Sequence, residues 1–284
     1  MNEGVVRAVE RITGSPVVAQ RPAAAGGYTN AIRAIVQLAD GRSVFVKAAG
    51  DDATLGWLRD EHAVYEAVTG PFMPDLLGWE DGILVLEDLS AAHWPPPWSE
   101  RHIDAVRHAL ADLHALSPPA GLPSAGDVES LRDGWVVVAS YPAPFLALGL
   151  CTATWLEHSL PTLIEAAERA PLDGDRIVHL DVRSDNLCLA DGRCKLVDWN
   201  HTARGNPDLD IALWLPSLHL EGGPEPAGHP ELAAAFAGFL ACRAGLPEPP
   251  TAPPHGVRPV QIAQLRVALP WAARELGLSR PRPR

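Results

Sequence analysis

Lysine is nearly missing from this 284-residue chain: Lys47 and Lys195 stand alone among 23 basic residues, and the rest are arginine. Where arginine serves almost everywhere, the two positions that keep a compact ammonium are candidates for a role a guanidinium cannot fill. Cysteine is scarce as well. Cys151, Cys188, Cys194 and Cys242 are too few and too scattered for a disulfide framework, and no pair has CxxC metal or redox spacing. Free thiols in a reducing cytosol are expected. No apolar run approaches the ~20 residues that span a bilayer. The opening MNEGVVRAVERITG has early acids and no apolar h-region, so no secretory signal is expected. Positive charge is in deficit too. A net charge of −12 argues against nucleic acid as a partner, because phosphate backbones need a basic face. It is compatible with a cationic small molecule, and equally with charge kept for solubility. Internal repeats are lacking.

What is present divides unevenly. A short amphipathic helix is expected over residues 3–12. AIRAIVQL and SVFVKA read as strands joined through Asp40-Gly41, and LLGWEDGILVLE reads as a second hairpin with Asp81-Gly82 at its tip. Between them, TLGWLRDEHAVYEAV has helical spacing of Leu55, Leu58, Val64 and Val68. Beyond Ser90 the character changes. HWPPPW is a rigid link. Helical patterns follow in SERHIDAVRHALADLHAL, TATWLEHSLPTLIEAAERA, PELAAAFAGFLACRAG and VQIAQLRVALPWAARELG. An irregular stretch is expected near residues 117–134. These elements predict an α+β protein with a small antiparallel strand-rich part over 1–89 and a larger, mainly helical part over 90–284.

The segment VHLDVRSDNLCLADGRCKLVDWN sets Asp181, Asn186 and Asp198 at the ends of apolar runs. Carboxylate and amide oxygens suit hard cations. An acid left free of metal could accept a proton from an attacking hydroxyl. Singly, each Asp reads as a cap or turn residue; as an ordered set they call for a common site.

HLDVRSDN, VDWN and GNPDLDIA together resemble, in order and separation, the catalytic motifs of the aminoglycoside phosphotransferase and choline-kinase-like family of small-molecule kinases. The resemblance implies a protein-kinase-like, two-lobed fold and transfer of the γ-phosphoryl of ATP or GTP, with Mg2+, to a hydroxyl of a small molecule. It implies Asp181 as base, with His179 bracing its loop, Asp210 supporting it, and Asn186 and Asp198 as metal ligands. Lys47, ending VFVK, would neutralise the nucleotide phosphates, held by Glu61 of the next helix; Asp60 and Glu66 are rivals for that pairing. Lys195 is expected at an exposed strand position. Gly26 and Gly27 of GGYTN would approach the phosphates, with a hydrogen bond from Thr29 or Asn30. Backbone groups of Glu87, Asp88 and Leu89 would hold the base.

Three departures stand out. Leu180 occupies the family's glycine position, where no positive φ is expected to be forced. Arg183 replaces a common histidine and would add positive charge near the γ-phosphate. Asn206 replaces an aspartate. The last 23 residues hold five arginines and one acid, Glu275, which counts against a strongly cationic substrate gripped by the tail; Glu157, Glu221 and Glu225 could still line an acidic pocket. The implied acceptor is an antibiotic of aminoglycoside, nucleoside or peptide type. A sugar, choline-like or amino-acid alcohol is the alternative, and a nucleotide-binding pseudokinase is disfavoured because Asp181, Asn186 and Asp198 are all kept.

Overall fold

A computed structural model describes residues 1–23, 29–249 and 256–282. The chain begins with α1 (Glu3–Thr13), β1 (Val17–Pro22), β2 (Ile32–Leu38), β3 (Ser43–Ala48), α2 (Asp52–Ala67), β4 (Leu76–Glu80), β5 (Ile83–Glu87) and α3 (Glu100–His114). It continues through α4 (Gly134–Ser140), α5 (Ala143–Ala147), α6 (Ala153–Glu168), β6 (Arg176–Val178), β7 (Leu187–Ala190) and β8 (Arg193–Leu196). It ends with β9 (Ala203–Gly205), α7 (Asp208–Leu220), α8 (Pro230–Ala244) and α9 (Arg258–Glu275). The class is α+β, as expected.

The described residues fall into two compact units. One draws on Met1–Leu113 and Ser184–Thr202; the other on His114–Arg183, Ala203–Pro250 and His255–Arg284. The first therefore extends past the expected boundary at residue 89 and takes in a later hairpin. Hydrogen bonds explain why. Leu189 and His93 exchange N–H···O bonds of 3.0 and 2.8 Å, and the Leu196 N–H donates to Phe72 O at 2.7 Å.

In the first unit, five antiparallel strands lie in the order β1-β2-β3-β5-β4. Asp81 and Gly82 both have positive φ (45° and 84°), as do Asp191 and Gly192 (50° and 76°), giving tight hairpin turns that match strand twist. The pleat sorts the side chains of β3. Val44, Val46 and Ala48 join Val5 and Val9 of α1 in one apolar cluster. Phe45 and Lys47 face the other way, in register with Ile35 and Arg33 of β2 and with Leu86 and Leu84 of β5. Opposite α1, then, β3 presents one charge in an apolar row. Helix α2 starts at a capping box: Asp51 accepts the Thr54 N–H at 2.8 Å and the Thr54 hydroxyl oxygen accepts the Asp51 N–H at 3.0 Å. Cys188 and Cys194, on β7 and β8, are free. Burial pushes both thiols up, Cys188 to about 12, so they pack as small apolar groups.

The second unit is helical around α8, whose Ala-rich sequence is buried along nearly its whole length. Short side chains let neighbours approach closely. Trp135 of α4 donates its indole N–H to Ala234 O at 2.8 Å. A Cβ on Gly134 would stand 2.4 Å from the Gly238 carbonyl carbon, and one on Gly238 would meet the Trp135 ring at 2.7 Å. Two short segments there, α4 and α5, fall where no helix was expected; among their described residues, Trp135, Val138 and Phe145 are buried and fix them by packing. Gly134→Ala should lower stability by about 1–3 kcal/mol, the usual cost of overpacking, read as a lower urea midpoint with an unchanged slope. An unchanged midpoint would mean that the two backbones separate freely.

Candidate functional site

The outward row on β3 opens into a cavity of about 400 Å³ within the first unit. Ile35, Phe45, Leu86, Val197 and Trp94 supply apolar wall; Lys47, Glu61, Asn186 and Asp198 supply polar groups at the other end. Such a lining, mostly apolar with a few converging polar groups, suits a flat ring carrying a charged tail.

Lys47 is the centre of the polar end. Its Nζ donates to Glu61 Oε2 at 2.6 Å and to Asp198 Oδ1 at 2.7 Å. Lys47 is 7% exposed and Glu61 1%. Glu61, not Asp60 or Glu66, is the partner from α2 because it lies on the buried stripe with Leu58 and Tyr65. Asp198 arrives by a different route. Hairpin β7–β8 pairs Leu187 with Leu196, and the Val197 N–H extends that ladder to Asn186 O at 2.9 Å. The hairpin thus closes twelve residues of sequence separation, and Asn186 and Asp198 come to one wall. Asp198 turns off the strand with φ +65°.

Electrostatics follow the geometry. Burial pushes the Asp198 carboxyl upward, but the Lys47 ammonium outweighs it and holds the carboxyl down at about 2. Burial likewise disfavours the charged amine, yet Asp198 and Glu61 together raise Lys47 above its ordinary value. Glu61 feels the same ammonium, but its burial is more complete and leaves it raised. Asp198 is therefore the more firmly ionised of the two acids.

In the second unit, Asp181 follows a tight turn built on Asp210. Asp210 is fully buried; its carboxylate accepts the His179 N–H at 3.0 Å, the Leu180 N–H at 2.8 Å and His114 Nε2 at 2.8 Å. Leu180 has φ +63°. The expectation that this position needs no positive φ is wrong: the turn keeps the geometry of a glycine, and Leu180 is held in it by these bonds. His179 is wholly buried, and its Nδ1 accepts the Asp181 N–H at 3.3 Å. Arg183 is not a surface arginine. Its side chain is 14% exposed and its Nε lies 3.3 Å from Asp181 Oδ1.

The other candidates scatter. Glu87 and Leu89 line the cavity. The Glu87 carboxylate accepts from Lys195 Nζ at 2.6 Å, and Lys195 also donates to Met73 O at 3.2 Å. Lys195 is thus half-buried and paired, which corrects its expected exposure. Asp88 accepts from the Ser43 hydroxyl and from the Ser90 N–H. The Thr29 hydroxyl accepts from Arg33, and Asn30 donates to Asp51 at 3.1 Å. Gly26 and Gly27 lie outside the described residues. Trp94 lines the cavity, and its indole N–H donates to Leu89 O at 3.0 Å. Sequence reasoning passed over Arg33 and His114. For Arg33 a signal existed in its cross-strand register with Lys47; for His114 none did, because its partner is 96 residues away.

A model described as the phosphotransferase enzyme family matches residues 25–248. The chain belongs to that family. No curated protein matches its sequence. Among solved structures, the phosphotransferase is similar in fold to the macrolide 2'-phosphotransferase MphH of Brachybacterium faecium, at 16% identity over 97% of this chain and 90% of that one, with TM-score 0.58. A ternary complex of aminoglycoside phosphotransferase APH(4)-Ia with AMP-PNP and hygromycin B matches at 15% identity, 97% and 98% coverage and TM-score 0.57. A candidate fructosamine-3-kinase of Thermobifida fusca YX-ER1 matches at 20% identity, 95% and 99% coverage and TM-score 0.55.

The depressed Asp198 pKa has a signed consequence for this phosphotransferase. A folded-state value of about 2, below the unfolded ~3.9, contributes stability that is present above about pH 4 and is lost as pH falls toward 2. The unfolding free energy of the wild type, from urea titration, should exceed that of Asp198→Asn by an amount that shrinks across that window, by about 2 kcal/mol in all. A gap independent of pH would show that the carboxylate charge is not what Lys47 stabilises.

Proposed function

We propose that the protein transfers the γ-phosphoryl group of ATP or GTP to a hydroxyl of a small antibiotic, so inactivating it. The observation that carries this reading is the buried Lys47 ammonium shared by Glu61 and Asp198 on the wall of a mostly apolar cavity. A purine fits the apolar end, and Lys47 would meet the α- and β-phosphates at the other.

The donor set fits Mg2+. Asn186 and the ionised Asp198 offer oxygen donors on one wall. Among the described residues no group of three His, Cys, Asp or Glu side chains could hold an ion alone, and magnesium commonly completes its shell with water and phosphate oxygens. When bound, it would neutralise charge on the β- and γ-phosphates. The protein's own work is positioning. Asp181, oriented by Arg183 and by the His179 turn, would accept the hydroxyl proton as the acceptor oxygen bonds to the γ-phosphorus; the bond from that phosphorus to the bridging oxygen breaks, and the nucleoside diphosphate leaves. Arg183 would answer negative charge developing on the transferred group.

Macrolide and aminoglycoside kinases among the structural relatives support an antibiotic acceptor. The acids that could grip a polycation, Glu157, Glu221 and Glu225, do not line the cavity. Glu225 is engaged by Arg274 at 2.6 Å, and Glu157 is exposed. A weakly cationic acceptor is therefore favoured over a polyamine. The same observation, with the fructosamine-kinase relative, keeps a sugar or amino-alcohol metabolite as the second reading.

A hydroxyl-bearing panel of antibiotics and metabolites, read by nucleotide consumption, separates the two; a metabolite phosphorylated while every antibiotic stays intact would overturn the resistance reading. Asp181→Ala should keep nucleotide affinity and lower turnover at least ~10²-fold. Asp198→Ala should instead weaken nucleotide binding in magnesium far more than without it, measured by calorimetry. Full turnover in the Asp181 variant would remove that residue from the chemistry.

A further inference from the structure

Arg33 is a charged group that the reading above leaves unused. It sits on β2 directly across from Lys47, so the two side chains leave the sheet on the same face, with Cβ atoms roughly 5 Å apart. It is half-buried and lines the same cavity. Its partners among the described residues are all neutral oxygens. Nη1 donates to Ala31 O at 3.0 Å and Thr29 O at 3.4 Å, and Nη2 donates to the Thr29 hydroxyl at 2.9 Å. A guanidinium carries five N–H donors. Three are used, which leaves the Nε–H and one N–H of Nη2 without a partner among the described residues.

Charge sharpens the contrast with Lys47. That ammonium is in direct contact with two carboxylates, whereas no acid lies within 4.0 Å of Arg33 among the described residues. Its field still reaches the trio: it disfavours the charged Lys47 and favours ionised Glu61 and Asp198. Partly desolvated positive charge with two spare, planar donors is an oxyanion site, because carboxylate and phosphate oxygens match that fork in two places at once. The bonds to Thr29 and Ala31 hold the guanidinium in place before any ligand arrives, so little side-chain entropy remains to be lost on binding.

We propose that Arg33 is a phosphate-binding residue of the nucleotide site, one that takes an α- or β-phosphate oxygen beside Lys47 while tying down the chain at Thr29–Ala31. This rests on the nucleotide-binding reading above. It assigns phosphate recognition to a side chain on β2, and it predicts that affinity depends on Arg33 in proportion to the phosphates a ligand carries.

Calorimetry with adenosine, guanosine, ADP, GDP and inorganic tripolyphosphate tests it on wild type, Arg33→Met, Arg33→Lys and Lys47→Met. Arg33→Met should weaken diphosphates and tripolyphosphate roughly 10- to 100-fold, the scale of charge-assisted hydrogen bonds. Nucleoside affinity should change less than about 3-fold, since no phosphate is involved. Arg33→Lys should recover part of the loss, because charge returns without the fork. Equal losses for nucleosides and diphosphates in Arg33→Met would overturn the proposal and leave Arg33 as a clamp on the chain alone. Diphosphate binding that is lost in Lys47→Met and kept in Arg33→Met would also overturn it while the parent reading stands. A wild type that binds neither diphosphate would sink both.

Discussion

One ammonium group holds three pieces of the first unit in register. Lys47 comes from β3, Glu61 from α2 and Asp198 from the end of the β7–β8 hairpin, and their oxygens meet at 2.6 and 2.7 Å from a single nitrogen. Desolvating such charges costs several kcal/mol each, so the arrangement is tolerable only while all three remain together. Removing Lys47 would leave two carboxylates confronting each other in apolar surroundings. The interaction is therefore better understood as a condition on geometry than as a source of stability. Strand, helix and hairpin must each present their group to one point, and the cavity wall is what that requirement leaves behind.

A similar constraint operates on the turn before Asp181. Leu180 adopts a backbone conformation that costs a side-chain-bearing residue on the order of 1 kcal/mol, and it does so because Asp210 offers acceptors to two successive N–H groups. Both carboxylate oxygens of Asp210 are committed, one of them also to His114. A glycine would relax the backbone, but it would not by itself supply those bonds. The turn tolerates leucine because the acid beneath it already fixes both amides, and Leu180 also packs against the unit's apolar core. Arg183, two residues further on, brings its Nε to 3.3 Å from the Asp181 carboxylate. Placement of Asp181 thus depends on a buried acid 29 positions downstream.

Much of this was legible in the chain. Strand-like runs joined by Asp-Gly pairs exposed β2, β3, β4 and β5, and the pair at 81–82 adopts the positive φ of a tight turn. The rarity of lysine pointed to Lys47, and the motif order gave Asn186 and Asp198. What stayed hidden is informative. Strand β1 is mostly exposed and ends on Pro22, so no apolar alternation announced it; as an edge strand it needs one partner only. Helices α4 and α5 are seven and five residues long, too short to show a helical period, and packing rather than propensity makes them. The return of 184–202 to the first unit rests on hydrogen bonds from Leu189 and Leu196 that are non-local and so leave no local mark in the sequence. The backbone at Leu180 could not be read from leucine, since the preference that overrides it belongs to Asp210.

The lysine economy has a physical basis in this setting. Both lysines bond to oxygens from different elements: Lys47 to Glu61 and Asp198, Lys195 to Glu87 and the Met73 carbonyl. A tetrahedral ammonium can aim three donors along divergent directions from one compact atom, so oxygens approaching from separate elements can all reach it at short range. A guanidinium is broad and planar; its donors lie in one plane and favour a single ligand that accepts in two places. Arg33, across the strand from Lys47, has neutral oxygens on part of its fork and spare donors on the rest. The pair divides two tasks according to shape. The ammonium knits the fold's own acids together, and the guanidinium keeps an edge for an oxyanion that the fold does not supply.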